Sequence, residues 1–399
     1  MVAVYMSPGY LILCFYVLWR TLVWLEKCCP YLGKKRVRVP FILIYIAVVF
    51  CILIAFLLGH SDARRLLKQF SNVWLGVLLY SLLVIILVDL LRLILKRLPF
   101  LGKEKLFSVK AHRIIGGVCA LCICVLSVAG IQNADNIQVT EYELYVDKEA
   151  GDLDSLNIIL VADLHMGYSI GIRQIEQMVE KINEEDPDLV VIAGDIFDNE
   201  YEALEDPEAL IDILKGIRSK YGVYACYGNH DIQEKILAGF TFSSKKEKAS
   251  DPRMDAFLEQ AGIRLLRDEG VLIGDAFYLY GRPDYNRPGR GIVIRKTPAQ
   301  ITEGMDLRKP VIVLDHEPKE LQELADAGVD VDLCGHTHDG QMFPGTLTVR
   351  LMWENACGYM KKGNMHNIVT SGVGIFGPNM RVGTISEICS VTVRFVPKD

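Results

Sequence analysis

The chain has 399 residues, 51% of them hydrophobic, and its charges are divided unevenly between two parts. Residues 1–131 contain 16 Lys and Arg against 4 Asp and Glu, which leaves 27 basic and 45 acidic residues for positions 132–399. This asymmetry excludes a single uniform domain, and the acidic second part argues against nucleic acid as the main partner, because phosphate backbones bind clustered Lys and Arg. After residue 131 the Cys residues have no CxxC spacing, so neither a disulfide scaffold nor a zinc ribbon is indicated.

Apolar segments in the first part are long enough to cross a bilayer as helices. Two of them are uncharged runs of 19 and 18 residues, which match a hydrocarbon core of about 30 Å. Four spans are predicted, at about residues 8–25, 41–59, 73–95 and 114–131. The connections after the first and third spans contain five and six Lys and Arg, and the connection after the second contains three. The positive-inside rule therefore predicts that the chain after residue 131 lies on the extracytoplasmic side of the cell membrane.

Charged side chains interrupt two of these spans. Arg20 lies between Trp19 and Trp24, which is typical of a side chain that extends to the membrane interface beside aromatic residues. Asp89 and Arg92 are three positions apart and can pair on one helix face. We find no partner carboxylate or histidine for Asp89 in the other predicted spans. We therefore interpret the helices as an anchor, with a transporter as the less favoured alternative.

The second part alternates short apolar runs with amphipathic stretches, which is typical of α/β domains. We expect residues 132–154 to form a linker with a first strand, and residues 155–399 to form one domain. The predicted strands are Leu156–Ala162, Leu189–Ala193, Gly222–Tyr227, Val311–Leu314 and Val331–Cys334, and the predicted helices are Ile172–Glu184, Pro207–Lys220, Asp251–Gln260 and Pro318–Ala327. Because the carboxyl ends of strands in open α/β sheets face one crevice, the polar residues that follow these strands should converge there.

Those polar residues offer oxygen and imidazole ligands without a thiolate. They are Asp163, His165, Asp195, Asn229, His316, His336 and His338. Such a mixture suits Mn, Fe, Zn or Co. Seven ligands exceed the need of one ion and suffice for two if one carboxylate is shared, and two ions about 3.5–4 Å apart are suited to phosphoryl transfer. The pattern predicts a site for two divalent metal ions and leaves their identity open.

Five motifs in chain order resemble the five blocks of the calcineurin-like metallophosphoesterases. They are Asp163-Leu-His165, Gly194-Asp195-Ile-Phe-Asp198, Gly228-Asn229-His230-Asp231, His316 and Gly335-His336-Thr-His338. The resemblance covers residues 155–395, and the glycine-rich tail up to Arg381 is similar to the YkuE/YaeI-like branch. It implies a four-layer α/β sandwich, with two mixed sheets flanked by helices, after an all-α region of four transmembrane helices.

The resemblance also implies how the ligands are shared between the two ions. Asp163, His165 and His338 would hold one ion, Asn229, His316 and His336 would hold the other, and Asp195 would bridge them. A metal-bound hydroxide would then attack phosphorus in line with the leaving oxygen, since bound ions lower the pKa of water.

Further residues receive roles from the same resemblance. His230 would face the substrate and assist the leaving oxygen, and Asp231 would orient the imidazole of His230. Asp198 would lie behind the ligands. Arg381, which follows the glycine-rich turn, and Arg282 are candidates for binding phosphate oxygens, because the guanidinium group offers bidentate contacts, and surface ion pairing is the alternative for both.

The function favoured by these observations is that of a membrane-anchored phosphodiesterase or pyrophosphatase. Its expected partners are membrane lipids and a phosphorylated small molecule or lipid, such as a cell-envelope precursor, and no nucleic acid is expected. Two alternatives stay open, a metal-binding sensor or scaffold without turnover and a nucleotide or nucleic-acid phosphodiesterase. A binding module needs neither His230 nor Asp231, so their presence favours an enzyme.

Overall fold

The computed structural model describes residues 2–99, 103–232, 236–237, 240–241 and 250–396. The chain divides into two compact units, a helical unit and an α/β unit. The helical unit consists of Met1–Gln132, Leu237–Phe240 and Gly377–Met380, and the α/β unit of Asn133–Ile236, Thr241–Phe376 and Arg381–Asp399.

The helical unit is built from long apolar helices. They are α1 (Val2–Cys28), α2 (Lys35–Leu57), α3 (Asp62–Arg97), the short α4 (Lys103–Leu106) and α5 (Val109–Ala134). Among the described residues, α1, α2, α3 and α5 are long and apolar enough to cross a membrane. Large aliphatic side chains such as Leu43, Leu57 and Leu121 are exposed on their surfaces, as expected of helices that are apolar all round and face lipid. The predicted region of four apolar helices is confirmed.

The rest of the described chain alternates strands and helices. In chain order it contains β1 (Ile137–Val146), β2 (Ser155–Val161), α6 (Ile172–Glu184), β3 (Leu189–Ala193), a 3₁₀ turn (Tyr201–Ala203), α7 (Pro207–Leu214), β4 (Val223–Cys226), β5 (Ile236–Leu237), β6 (Phe240–Thr241), α8 (Pro252–Gln260), β7 (Ile263–Leu265), β8 (Glu269–Ile273), β9 (Phe277–Gly281), α9 (Pro298–Ile301), β10 (Val311–Leu314), α10 (Leu321–Asp326), β11 (Val331–Cys334), a second 3₁₀ turn (His338–Gly340), α11 (Gly345–Met352), β12 (Gly358–Lys362), β13 (Met365–Val369) and β14 (Ser386–Phe395).

Two mixed sheets of six strands each form the centre of the α/β unit. The first has the order β1-β14-β2-β3-β4-β7 and the second β12-β13-β11-β10-β9-β8. In the first sheet only the pair β14–β2 is antiparallel. In the second sheet the edge strands β12 and β8 are antiparallel to their neighbours and the central strands are parallel. The motifs predicted to bind metal therefore follow strands that are central in their sheets and parallel to neighbouring strands.

Three apolar clusters separate the layers of this unit. Along β2, Ile159 and Val161 pack with the helices on the outer face of the first sheet, whereas Ile158 and Leu160 pack between the two sheets. Successive side chains of a strand point to opposite faces, so a continuous apolar run is buried on both. A third cluster packs α10 on the outer face of the second sheet. The predicted sandwich of helix, sheet, sheet and helix is confirmed.

Most predicted elements of this unit coincide with observed ones. Strands β3, β10 and β11 and helix α6 have the predicted bounds. Helix α7 ends at Leu214, whereas the predicted helix ended at Lys220. The N–H of Gly216 donates to the carbonyl oxygen of Ile213, and this tight turn terminates the helix. The segment 132–154, for which we expected a linker and a first strand, contains β1, whose ten residues pair with β14.

Candidate metal centre

The seven predicted ligands come together at the carboxyl ends of central strands from both sheets. Strands β2, β3 and β4 of the first sheet lead into Asp163-Leu-His165, Asp195 and Asn229, and strands β10 and β11 of the second lead into His316 and His336-Thr-His338. Five of the ligand side chains are buried, and those of Asn229 and His336 are half-buried. The polar residues that follow these strands therefore converge as expected.

One group of ligands is formed by Asp163, His165 and His338. The Nε2 atoms of the two imidazoles lie 3.0 Å apart. The Oδ1 atom of Asp163 lies 3.7 Å from Nε2 of His338. All three side chains offer an atom to one common point, as the ligands of a metal ion do.

A second group surrounds the imidazole of His316. Its Nε2 atom lies 3.0 Å from Nδ1 of His336 and 3.1 Å from Oδ1 of Asn229. Its Nδ1 atom lies 2.9 Å from the carbonyl oxygen of Ala193 and can donate only if it carries the proton. With a metal ion bound at Nε2, this contact would keep the proton of the ring on Nδ1 and fix its orientation, as second contacts of metal-binding histidines commonly do.

The carboxylate of Asp195 lies between the two groups. Its Oδ2 atom is 3.3 Å from Nε2 of His316 and 3.8 Å from Nε2 of His165. Its Oδ1 atom accepts the backbone N–H of His230 at 2.7 Å. The backbone contact fixes the carboxylate in a position from which it reaches ligands of both groups.

The electrostatics of these side chains fit bound cations. Burial lowers the pKa of His165 to about 4 and lowers the pKa of His338 well below its usual range, so both imidazoles are neutral at pH 7. Burial raises the pKa of Asp163, because no solvent stabilises its charged form. Burial opposes protonation of His316, but the Asp195 carboxylate outweighs it and raises the pKa of that imidazole. Divalent cations would neutralise the carboxylates and accept the imidazole lone pairs.

Backbone strain is concentrated at the ligands. Five of the seven have positive φ angles: Asp163 (53°), His165 (47°), Asp195 (49°), His336 (74°) and His338 (51°). A residue with a Cβ atom costs about 1–2 kcal/mol in the left-handed region. Hydrogen bonds between the loops hold this backbone; for example, the N–H of His165 donates to the carbonyl oxygen of Asp195 at 2.9 Å. Such strain persists where the surrounding structure enforces it, which is common at functional sites.

His230 lies beside the first ligand group and faces Asp198. Its Nδ1 atom is 3.7 Å from Oδ1 of Asp198, and the same oxygen is 3.8 Å from Nδ1 of His165. The rings of His230 and His165 meet edge to face with their centres 4.8 Å apart. Asp198 is therefore the carboxylate that can orient the imidazole of His230.

Asp231 differs from our expectation that it orients His230. Its Oδ1 atom accepts the backbone N–H groups of Ile196 and Phe197, both at 2.9 Å, and its Oδ2 atom accepts that of Gly228 at 2.7 Å. The side chain thus joins the loop after β3 to the loop after β4. It fixes the backbone around Asp195 and Asn229 and does not contact the imidazole.

Arg282 was expected to bind phosphate, but the structure places its guanidinium group in the protein interior. The side chain is fully buried and donates to Asp315 at 2.7 Å and to Glu320 at 2.6 Å. Arg295 contacts the same two carboxylates at 2.9 and 2.8 Å. The four charges form a closed network directly before His316, and a substrate phosphate would have to displace a buried carboxylate to reach Arg282.

Arg381 is also fully buried and also differs from the expected role in phosphate binding. Its Nη2 atom donates to the carbonyl oxygens of Ser371, Gly372 and Gly374 at 2.7, 3.0 and 2.7 Å. The N–H of Gly374 in turn donates to the carbonyl oxygen of Asp163 at 2.8 Å. The guanidinium group thus organises a glycine-rich turn that packs on the backbone of a ligand.

Replacing Arg381 with Met is expected to lower the free energy of unfolding by about 3 kcal/mol or more, because three buried carbonyl groups lose a charged donor. Denaturant unfolding of the purified protein in detergent measures the change. Arg394→Met is the matched control, since Arg394 is half-exposed and pairs with Glu143 at the surface. An equal loss of stability in both variants would contradict the assigned role.

One set of residues beside the site was not predicted from the sequence. Lys319 lies between two aromatic rings, 4.7 Å from the ring centre of Tyr285 and 5.4 Å from that of Trp353. The ring centre of Trp353 is 5.2 Å from that of His336. Lys319 comes three positions after His316 in the chain, which is the only sequence signal that could have pointed to it.

A two-sheet sandwich with His and Asp ligands at its strand ends defines the class of metallophosphoesterases. Residues 156–340 match the family model described as calcineurin-like phosphoesterase. The chain thus carries a domain of the calcineurin-like phosphoesterase family, as the five motifs predicted. Its position in the YkuE/YaeI-like branch stays a prediction.

Relatives of the chain include membrane proteins. A transmembrane protein with metallophosphoesterase domain from Danio rerio is 29% identical over 338 residues, which cover 80% of this chain and 74% of the relative. An uncharacterized metallophosphoesterase of Helicobacter pylori is 31% identical over 268 residues, 66% of this chain and 65% of that protein. The UDP-2,3-diacylglucosamine pyrophosphatase LpxG of Chlamydia trachomatis is 24% identical over 254 residues, 54% of this chain and 75% of that enzyme. Together with the four apolar helices, the similarity to the transmembrane protein of Danio rerio indicates a membrane-associated protein.

Proposed function

We propose that the protein is a membrane-anchored phosphoesterase that uses two divalent metal ions to hydrolyse a phosphate ester or a pyrophosphate. The observation that carries the proposal is the position of the Asp195 carboxylate between two groups of ligands. Asp163, His165 and His338 would hold one ion, and Asn229, His316 and His336 the other. Bound ions of this kind supply a Lewis acid for phosphate oxygens and lower the pKa of water.

The remaining polar residues would position the reacting groups. His230 would donate a proton from Nε2 to the leaving oxygen, and the carboxylate of Asp198, 3.7 Å from Nδ1, would stabilise the charged ring and favour its orientation. Asp231 would keep Asp195 and Asn229 at the correct distance through its three backbone contacts. This division of roles assigns the chemical step to His230 and the geometry of the loops to Asp231.

An amphiphilic substrate is favoured by the surface beside the site. In helix α11 the side chains of Leu351 and Met352 are 88% and 76% exposed. The next residue, Trp353, contacts the ring of His336. Exposed apolar side chains next to a phosphate site suit a substrate with hydrocarbon chains. The relative named as a diacylglucosamine pyrophosphatase acts on such a molecule, and a phosphorylated lipid or envelope precursor is the class that we propose here.

The positive-inside rule supports a location of the site on the outer side of the cytoplasmic membrane. The connections between α1 and α2 and between α3 and α5 carry more Lys and Arg than the connection between α2 and α3. A thiol label that does not cross membranes should therefore reach a cysteine introduced by Leu351→Cys, at an exposed position of the α/β unit, in intact cells. Protection of this cysteine until lysis would reverse the orientation.

Turnover by the full-length protein tests the chemistry. In detergent with Mn²⁺, the purified protein is expected to hydrolyse bis-p-nitrophenyl phosphate. A chelator should remove the activity and added Mn²⁺ should restore it. Protein side chains alone, and no covalent cofactor, would hold the ions, so their removal should be reversible. A folded protein that binds Mn²⁺ at these residues and shows no turnover of phosphodiesters, monoesters or pyrophosphates would favour the metal-binding sensor instead.

A further inference from the structure

A cavity of about 140 Å³ lies inside the helical unit, between α1, α3 and α5. Charged and polar walls come from Arg20, Asp89, Arg92 and His112, and aliphatic walls come from residues such as Ile85 and Ile123. The C-terminal parts of α1 and α3 and the first turn of α5 contribute the polar walls, so these lie at the same end of the three helices. The adjoining connections contain five and six Lys and Arg.

The spacing of Asp89 and Arg92 predicts an ion pair between them, but the two side chains do not pair in the structure. Its Oδ1 atom accepts from the guanidinium group of Arg20. Its Oδ2 atom accepts the hydroxyl group of Tyr16 at 2.8 Å. Asp89 therefore balances the charge of Arg20, which extends to a partner inside the bundle and not to the membrane interface.

The charge of Arg92 is left uncompensated within the part of the chain that the structure describes. Its Nη1 atom donates to Nδ1 of His112 at 2.6 Å, and its guanidinium carbon lies 5.7 Å from the ring centre of Phe107. An imidazole that accepts at Nδ1 is neutral and carries its proton on Nε2. The Nε2 atom of His112 is buried and has no hydrogen-bond partner, and the side chain is 8% exposed. A cation without an anionic partner and an N–H donor without an acceptor thus line the cavity.

We propose that this cavity binds the phosphate group of an anionic phospholipid, with an acyl chain along the aliphatic side chains of α3 and α5. A lone guanidinium group within membrane-spanning helices is costly, and a phosphate would compensate it with charge-assisted hydrogen bonds. Basic cavities between membrane helices are known to receive acidic head groups. The surrounding bilayer would supply the ligand, and the site shares no residue with the metal centre, because the residues that line it all belong to the helical unit.

Binding of defined lipids to the full-length protein tests the proposal. After delipidation in neutral detergent, phosphatidylglycerol is expected to raise the thermal denaturation midpoint in a concentration-dependent manner, and phosphatidylcholine is not. Arg92→Gln should weaken the apparent affinity for phosphatidylglycerol by about tenfold or more, and Arg92→Lys should retain most of it. His112→Ala, which keeps the guanidinium group, should weaken binding less than Arg92→Gln.

Arg97→Gln is the matched control, because Arg97 is exposed near the end of the same helix. It should bind phosphatidylglycerol as the unchanged protein does. Equal stabilisation by both lipids, equal stabilisation by inorganic phosphate, or an equal loss in the Arg97 and Arg92 variants would overturn the proposal. If Arg92→Gln does not fold, lipid binding by His112→Ala that equals binding by the unchanged protein would overturn it as well, since this variant removes the free N–H donor of the cavity.

Discussion

Asp195→Asn is expected to lower kcat for bis-p-nitrophenyl phosphate by about 10³-fold, the cost typical of losing a preorganised electrostatic contact. The two side chains have the same shape, so the fold should be retained. The carboxamide, however, has one oxygen and no negative charge, and its NH₂ group would face Nε2 of His316, which lies 3.3 Å from the carboxylate. In the variant, the NH₂ group between the two ligand groups would repel a cation, whereas the carboxylate would attract one.

Steady-state kinetics at saturating Mn²⁺, together with the metal content of the purified variant, measure this effect. Asp212→Asn is the control, because Asp212 lies on α7 and pairs only with Lys215 at the surface. Its kcat should be unchanged. Activity of Asp195→Asn within a few-fold of the unchanged protein would refute a bridging role for this carboxylate.

Gly228→Ala is expected to lower kcat by about 10²-fold, the cost typical of displacing a catalytic group by about 1 Å. A Cβ atom at this position would lie 2.2 Å from Oδ1 and 2.5 Å from N of Asp195, and 2.8 Å from Cε1 of His316. The Asp195 contacts include backbone, so the methyl group can be accommodated only by moving the loop that carries a ligand.

A glycine with free space around it provides the comparison for this variant. Gly262 has a φ angle of +73° and no neighbouring atom within 4 Å of an added Cβ. Gly262→Ala should therefore lose about 1 kcal/mol of stability through backbone strain and keep its kcat. The interpretation is wrong if Gly228→Ala lowers the free energy of unfolding but leaves kcat and metal affinity unchanged.

The positions of the metal ligands could be predicted because each one depends on a local pattern. A short apolar run such as Leu189–Ala193 forms a strand buried on both faces, and the first polar residue after it lies at the strand end. When several such runs form parallel strands, their carboxyl ends lie at the same edge of the sheet. The proximity of the polar residues that follow them can then be predicted from the sequence alone. The sequence therefore sufficed to predict that the candidate ligands converge and in which order the layers pack, and their role as metal ligands stays a prediction.

The direction of individual side chains could not be predicted in this way. Asp198 and Asp231 both lie near His230, and only the left-handed turns after β3 decide which one faces its ring. The burial of Arg282 depends on Glu320, 38 positions away along the chain. Such contacts arise from the packing of distant segments, and neither periodicity nor motif spacing carries a signal for them.

The position of β14 in the first sheet has a consequence for biosynthesis. Ile137, immediately after the last membrane helix, pairs with Ser386, and β14 separates β1 from β2. At translation rates of about 5–20 residues per second, tens of seconds pass between the emergence of β1 and that of its partner. Throughout that interval the nascent chain presents two strand edges with unpaired N–H and C=O groups. This topology therefore requires that the cell protect these strand edges until translation of the chain is complete.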